Sequence, residues 1–182
     1  MNLFTKVKDV NVAPLVSQLD AHPELWNQFG FRKGQDAHKE MSDIWVRYNR
    51  PDLIGKPEFN AEHIPVWYPA SEILTELRPI IFGLMADVEG EMLGGVLITR
   101  IPPGKGIAPH VDVSWHVDYY KKYYVSLKSS EGATFCSKTA DGGLEVLNPK
   151  PGEVWEFDNH YWHWVDNRSI EDRITLIVCI RS

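Results

Sequence analysis

The tripeptide His-Val-Asp occurs twice within a short stretch of the chain, at His110 to Asp112 and again at His116 to Asp118. A histidine and a carboxylate two residues apart face the same side of a β-strand, so each copy can present two metal ligands together. The two-histidine, one-carboxylate triad that binds ferrous iron needs these two ligands and a second histidine from another strand. The repeat therefore raises the hypothesis of a metal site with open coordination positions.

The two copies differ in their surroundings. If the segment is extended, they lie about 20 Å apart at ~3.3 Å per residue, too far to share one ion. The first copy follows the turn signal "PPGKG" and re-enters a strand, whereas the second runs into "YYKKYY", a polar and aromatic patch typical of a loop at a barrel mouth. We therefore predict that His110 and Asp112 bind the metal, and that His116 and Asp118 lie in a loop near the substrate entrance.

The second metal histidine is sought in "GEVWEFDNHYWHWVDN", which contains His160 and His163. If Glu153 to Phe157 forms a strand, His160 falls in the following turn and His163 begins the next strand. We favour His163 as the ligand and keep His160 as the alternative.

An arginine begins the last strand-like run, "RITLIVCI". Alternation places Arg173 and Thr175 on one face of this strand and apolar side chains on the other. Burying an arginine in such a strand requires an anionic partner. Arg173 is therefore a candidate for binding an anion.

From Gly94 onward the sequence consists of short β-type runs separated by turn signals such as "PG" and "DGG". Eight runs in about ninety residues predict a double-sheet jelly roll or barrel. The runs are GGVLITRIP, GIAPHVD, KYYVSLKSS, ATFCSK, GLEVLN, EVWEFDN, WHWVDN and RITLIVCI.

The N-terminal half mixes helix and strand signals. The stretches "APLVSQLDAHPELW" and "PASEILTELRPIIFGLMADV" have apolar residues at helical spacing, although Pro79 should bend or break the second helix. Between them, "DIWVRYN" alternates as a half-buried strand does. We predict one domain of mainly β (α+β) class, residues 1–182: a double-stranded β-helix (jelly-roll, cupin-like) core at 94–182, with the N-terminal helices of 1–93 packed on its outside.

Length and composition limit the class of protein. A chain of 182 residues that is 43% hydrophobic suffices for one sizeable core. Its net charge of −6 and its scattered lysines and arginines argue against binding to nucleic acid or to anionic membranes. Cys136 and Cys179 lie in apolar runs and are expected to be reduced core thiols. Neither a signal peptide nor a membrane span is expected, so the default location is the cytoplasm. The oligomeric state is left open.

Several motifs in order resemble those of a known family. "PPGKGIAPH", then "FDNHYWHWV", then an arginine ten residues after the second histidine are similar to the aspartyl/asparaginyl β-hydroxylase group of iron(II)- and 2-oxoglutarate-dependent oxygenases. The likeness covers about residues 94–180, and "DIWVRYN" lies where the family has an I-x-L-R-like strand. It implies a jelly-roll enzyme that uses Fe(II), 2-oxoglutarate as cosubstrate, and O₂.

The resemblance also implies roles for single residues. His110 and His163 match the iron histidines. Arg173 matches the arginine that pairs with the distal carboxylate of 2-oxoglutarate, and Thr99 takes the place of a hydroxyl that assists it.

Three positions depart from the family pattern. Its remaining cosubstrate contacts, an arginine and a histidine two residues apart, fall on Lys122 and Tyr124. Animal members have glycine at the place of the third ligand, whereas this chain has Asp112 and so resembles the fuller triad of the wider oxygenase superfamily.

The activity implied by the resemblance is hydroxylation of an unactivated C–H bond, with 2-oxoglutarate converted to succinate and CO₂. The substrate is expected to be a small molecule or a peptide, such as an amino acid or an Asp, Asn or Pro residue. Trp26, Arg47, Trp67 and Tyr68 are candidates for a roof over the site, where Arg47 either meets an acidic group or is a solvated strand residue.

Two other functions are compatible with a jelly roll. The first is a cupin-type metalloenzyme without 2-oxoglutarate, which would have no need of Arg173. The second is a non-catalytic binding module that binds a ligand with the aromatic rings at the mouth of the barrel. These rings are Trp115, Tyr119, Tyr120, Tyr123, Trp162 and Trp164.

Overall fold

In a computed structural model, the chain is described over residues 3–30, 32–34 and 36–182, and strands dominate this part. The strands are β1 (Phe4–Asp9), β2 (Ser42–Tyr48), β3 (Val66–Trp67), β4 (Met92–Ile101), β5 (Gly106–His110), β6 (Lys121–Lys128), β7 (Ala133–Lys138), β8 (Leu144–Leu147), β9 (Glu153–Phe157), β10 (His163–Asn167) and β11 (Arg173–Arg181). The helices are α1 (Ala13–Ala21), α2 (Ala70–Ile73), α3 (Leu77–Asp87) and α4 (Trp115–Tyr119). Short 3₁₀ turns cover Pro23–Leu25, Arg32–Gly34, Asp36–His38, Pro51–Leu53 and Pro57–Asn60.

The strands form two antiparallel sheets. The large sheet has the order β1-β9-β6-β11-β4-β2-β3, and the small sheet has the order β5-β10-β7-β8. An apolar layer joins them, with Phe4, Ile101 and Phe157 from the large sheet against Phe135 and Val165 from the small one. Strands β4 to β11 coincide with the eight predicted runs, so the jelly-roll prediction is confirmed.

Helices α1 and α3 cover the outer face of the large sheet. In α3, Leu77, Ile80, Ile81 and Leu84 recur with helical spacing and are buried. They share one core with Leu15 of α1 and with the outward side chains of the central strands. The prediction that N-terminal helices pack on the outside of the core is confirmed.

The predicted long helix around Pro79 is interrupted, but upstream of the proline. α2 ends at Ile73 and α3 begins at Leu77. Pro79 then lies in the first turn of α3, where its missing N–H is not needed. The break occurs between the two helices because a proline is tolerated near a helix start and not in a helix interior.

Strand β2 is buried on both faces, so the prediction of a half-buried strand is wrong. Ile44 and Val46 belong to the core under the helices. On the other face, Trp45 packs with Phe59 and Tyr68. The N-terminal half thus adds strands to the large sheet besides covering it, and its loops enclose the inner face of β2.

Cys136 and Cys179 are free and buried, as predicted. In the part of the chain that the structure describes, no helix combines the length and the apolar character needed to cross a bilayer.

Candidate metal centre

Two histidines face each other across neighbouring strands of the small sheet. β5 pairs antiparallel with β10, with His110 opposite His163, and their ring centroids are 4.3 Å apart. Gly104, with φ +72°, makes the turn that leads into β5. At Gly106 a Cβ atom would lie 2.4 Å from the carbonyl oxygen of Val165, so only glycine allows the two strands to approach here.

Each imidazole is oriented by a backbone carbonyl two residues earlier. Nδ1 of His110 lies 2.8 Å from the Ala108 oxygen, and Nδ1 of His163 lies 2.9 Å from the Tyr161 oxygen. A carbonyl only accepts, so Nδ1 donates and Nε2 keeps a free lone pair. Burial lowers the pKa of His163 to about 4, which keeps this ring neutral and able to bind a metal.

Asp112 completes a group of three possible ligands. Its Oδ1 lies 3.4 Å from Nε2 of His110, and its Oδ2 lies 3.9 Å from Nε2 of His163. One ligand atom from each residue lies within 4.8 Å of the other two. Asp112 follows the end of β5 and does not lie on the strand, as the alternation argument assumed. Two imidazoles and one carboxylate are a donor set that suits iron(II).

Two further side chains orient the Asp112 carboxylate. The ammonium of Lys122 forms an ion pair with Oδ2, and Nδ2 of Asn159 donates to the same oxygen at 3.1 Å. Burial alone would raise the pKa of Asp112, but Lys122 and His110 outweigh it and place this pKa well below its usual range. Asn159 was not predicted; its only signal is its position in "FDNHYWH", four residues before His163.

The other histidine of that segment, His160, lies in the turn between β9 and β10, as predicted. Its Nδ1 lies 2.8 Å from Asp158 and its Nε2 lies 3.2 Å from Asp118, so both ring nitrogens bind carboxylates outside the metal group.

The prediction of a loop is wrong for His116, although this residue does line the cavity that contains the metal group. His116 lies in α4 and is buried, and the Gly95 N–H donates to its Nε2 at 3.1 Å. Its ring packs against Tyr48 and Tyr120, and burial lowers its pKa to about 3. Of the tyrosines that suggested an exposed patch, Tyr120 is buried against His116, whereas Tyr119 is exposed. Asp118 is exposed, as expected for the rim.

One cavity of about 290 Å³ lies between the sheets and contains the metal group. This volume is near the lower limit of the ~300–1,000 Å³ that is common for small-molecule sites. All residues predicted as metal ligands or cosubstrate contacts line it: His110, Asp112, His163, Arg173, Thr99, Lys122 and Tyr124.

Among the described residues, Arg173 is a buried cation without an anionic partner. Its side chain is 3% exposed, and within the described residues its Nε and Nη2 atoms have no hydrogen-bond partner. The guanidinium lies over the ring of Phe135, 5.9 Å from the centroid. Burial lowers its pKa to about 10, so it stays charged near neutral pH. An unpaired buried charge is costly, so binding of an anion beside Arg173 would be favourable.

Other cavity residues come from segments that carry no recognisable motif. The ring of His38 lies 4.9 Å from that of His110, and burial lowers the pKa of His38 to about 2.

Of the proposed roof residues, Arg47 lines the cavity, whereas Tyr68 is buried in an aromatic cluster and Trp26 packs under Arg100.

A sequence model of the family described as Aspartyl/Asparaginyl beta-hydroxylase matches residues 16–182 of this chain. Among curated proteins, no sequence matches it.

Several solved structures share the fold at low sequence identity. An oxidoreductase of the 2OG-Fe(II) oxygenase family from Burkholderia pseudomallei is 16% identical, with 97% of this chain and 93% of that chain covered and a TM-score of 0.60. A Pseudomonas putida prolyl-4-hydroxylase is 12% identical, with 100% and 93% covered and a TM-score of 0.57. A prolyl hydroxylase from Trichoplax adhaerens, in complex with a hypoxia inducible factor peptide fragment, is 12% identical, with 100% and 84% covered and a TM-score of 0.67.

Proposed function

This chain belongs to the aspartyl/asparaginyl beta-hydroxylase family, and from that premise we propose that it is a non-haem iron(II)- and 2-oxoglutarate-dependent dioxygenase. It hydroxylates an unactivated C–H bond of a small molecule or of a residue in a peptide. The observation that carries the proposal is Arg173, a buried cation that has no anionic partner in the described part of the chain and lines the same cavity as the three metal ligands.

His110, Asp112 and His163 would hold the iron. Iron(II), 2-oxoglutarate and O₂ together supply an oxidant that replaces hydrogen on carbon by hydroxyl, while 2-oxoglutarate is converted to succinate and CO₂. The protein contributes position and protection from water. The backbone carbonyls that accept from both Nδ1 atoms fix the imidazoles, and the rings of Phe135 and Phe157 pack around His163.

Arg173 is proposed to bind the distal carboxylate of 2-oxoglutarate through two parallel hydrogen bonds. Thr99 supports this assignment, because it is buried, lines the cavity and lies two residues from Ile101, the partner of Arg173 in the ladder between β4 and β11. Lys122 forms an ion pair with Asp112, so we propose that it affects cosubstrate binding through its positive charge. The Tyr124 ring packs against Phe135 and shapes the cavity wall.

The alternatives explain less of the site. A cupin-type metalloenzyme without 2-oxoglutarate would leave the charge of Arg173 without an anion. A binding module would need neither the metal group nor two imidazoles that backbone carbonyls orient. A cytoplasmic location stays part of this proposal, on the ground of composition alone.

The test is succinate formation by the purified protein in air. Iron(II) and 2-oxoglutarate together should give slow succinate release even without substrate, and omission of either should prevent it. No succinate from folded, iron-loaded protein would refute the proposed function.

A further inference from the structure

The cavity wall is strongly cationic in a protein that is acidic as a whole. Arg32, Arg47, Lys122 and Arg173 line it, and Asp112 is the single carboxylate among its lining residues in the described part of the chain. The complete chain carries a net charge of −6. The positive charge is therefore concentrated where ligands bind and does not reflect the composition.

Three of the four cations have an assigned or visible partner. Lys122 pairs with Asp112, and Arg173 takes the distal carboxylate of 2-oxoglutarate in the proposed function. Burial lowers the pKa of Arg32, and the nearby charges of Asp43 and Asp112 oppose this effect. Arg47 has no counter-charge among the residues that the structure describes.

Arg47 is held in place by neutral groups. Its Nε lies 3.4 Å from the backbone oxygen of Leu93, and its guanidinium carbon lies 4.9 Å from the centroid of the Trp67 ring. Within the described residues, no carboxylate forms an ion pair with it. A guanidinium fixed by stacking and by one hydrogen bond is prepared to accept a planar anion such as a carboxylate.

Arg47 lies at the opposite end of the cavity from Arg173. In the large sheet, Arg47 on β2 is opposite Val96 on β4, which in turn is opposite Val178 on β11. Val178 is five residues from Arg173 along β11, which corresponds to about 17 Å at ~3.4 Å per residue. The Arg47 side chain also points away from Arg173, because its Nε donates to the oxygen of Leu93, which is opposite Ile180, still further along β11. The two guanidinium groups therefore do not share one carboxylate, and Arg47 is available for another anion.

Bound cofactors do not remove the excess of positive charge. The two charges of iron(II) and the two of the 2-oxoglutarate dianion cancel, so the cations of the wall still outnumber the carboxylate of Asp112. Resting on the proposed function, we propose that Arg47 determines specificity by binding a carboxylate of the substrate, and that the substrate is a small free acid. The cavity of about 290 Å³ must also hold 2-oxoglutarate, which agrees with a small substrate.

The experiment compares acids with their amides. The probes are the common L-amino acids and short carboxylic acids, each tested beside its carboxamide for the increase in succinate formation and for gain of one oxygen atom by mass spectrometry. At least one free acid should stimulate turnover, and its amide should do so at least about tenfold less efficiently, because the amide cannot form the charged hydrogen bonds.

Arg47→Gln should raise the KM for the stimulating acid roughly 10- to 100-fold, with a much smaller change in the KM for 2-oxoglutarate. Arg47→Lys should show a smaller increase, because it keeps the charge and loses the planar fork. Arg100→Gln is the matched control: Arg100 also stacks on a tryptophan, with 4.3 Å from its guanidinium carbon to the Trp26 ring, but it does not line the cavity. It should leave both KM values unchanged.

Equal stimulation by acids and amides, or no stimulation by any free acid, would overturn the inference while leaving the proposed function intact, provided that iron and 2-oxoglutarate bind. An unchanged KM for the acid in Arg47→Gln would overturn it as well. The acid and amide comparison in the wild-type protein decides the matter even if this variant fails to fold. Failure of the wild-type protein to bind iron and 2-oxoglutarate would overturn both proposals.

Discussion

His110 and His163 lie directly opposite each other in the ladder between β5 and β10, and a backbone carbonyl holds the Nδ1 of each ring. The pairing of two strands therefore sets the distance between the two imidazoles. Each Nε2 lies within 4 Å of the Asp112 carboxylate. Metal binding should depend on both rings in nearly equal measure.

His110→Ala and His163→Ala are each expected to abolish iron binding, because two ligands do not hold the ion firmly. His116→Ala is the control from the second His-Val-Asp copy. It should keep iron but lower the free energy of unfolding by about 1–3 kcal/mol, since the Gly95 N–H loses its partner. Metal analysis and urea unfolding measure the two effects. Iron retained by His110→Ala would contradict the assignment.

Asn159→Ala should weaken metal binding without removing a ligand. Asn159 donates to Oδ2 of Asp112, and loss of such an orienting partner typically costs 10- to 100-fold in affinity. Competition titration with cobalt(II) on the metal-free protein measures this affinity. His160→Gln, in the same turn, should bind cobalt(II) as the wild type does. Equal affinities in all three proteins would show that Asn159 does not position Asp112.

Arg173→Ala should raise the KM for 2-oxoglutarate about 30- to 1,000-fold, corresponding to ~2–4 kcal/mol for a buried charged contact. Iron should remain bound, because Arg173 lies on β11 of the large sheet and is not one of the three ligands. Arg173→Lys should have a KM for 2-oxoglutarate between those of the wild type and Arg173→Ala, since lysine keeps the charge but not the planar guanidinium group. An unchanged requirement for 2-oxoglutarate would favour a metalloenzyme that does not use it.

His160 should make a small stabilising contribution that depends on pH. Hydrogen bonds to Asp158 and then Asp118 raise its pKa above the ordinary value. Because the pKa is raised in the folded state, the contribution is complete below the unfolded pKa of ~6.5 and is lost as pH rises through the folded value. The wild type should therefore have a higher free energy of unfolding than His160→Gln. This difference should be larger at about pH 5.5 than at about pH 8.5. The difference should stay below ~1 kcal/mol, since the ring is half exposed. A larger difference at the higher pH would contradict the interpretation.

Much of the C-terminal half could be predicted because its signals are local. Alternation of period two and glycine or proline turns mark each strand, and the same register argument separates His163, at the start of β10, from His160 in the turn. Alternation along β11 predicted the face of the strand on which Arg173 lies, and this face lines the cavity.

Contacts that join distant segments could not be predicted in the same way. His116 was misplaced because α4 has only five residues and its burial depends on Tyr48 from another strand. The pairing of Lys122 and Asn159 with Asp112 depends on how β6 and the turn after β9 approach the end of β5. The burial of β2 on both faces likewise requires loops that no periodicity in β2 reveals.

We propose that the three ligands and Arg173 form one site for iron(II) and 2-oxoglutarate. This proposal is tested most directly by adding iron(II) and then 2-oxoglutarate to the metal-free protein under anaerobic conditions. A visible charge-transfer band should appear only when both are present, and Arg173→Ala should need far more 2-oxoglutarate to produce it. Absence of the band in folded, iron-loaded wild-type protein would contradict the account.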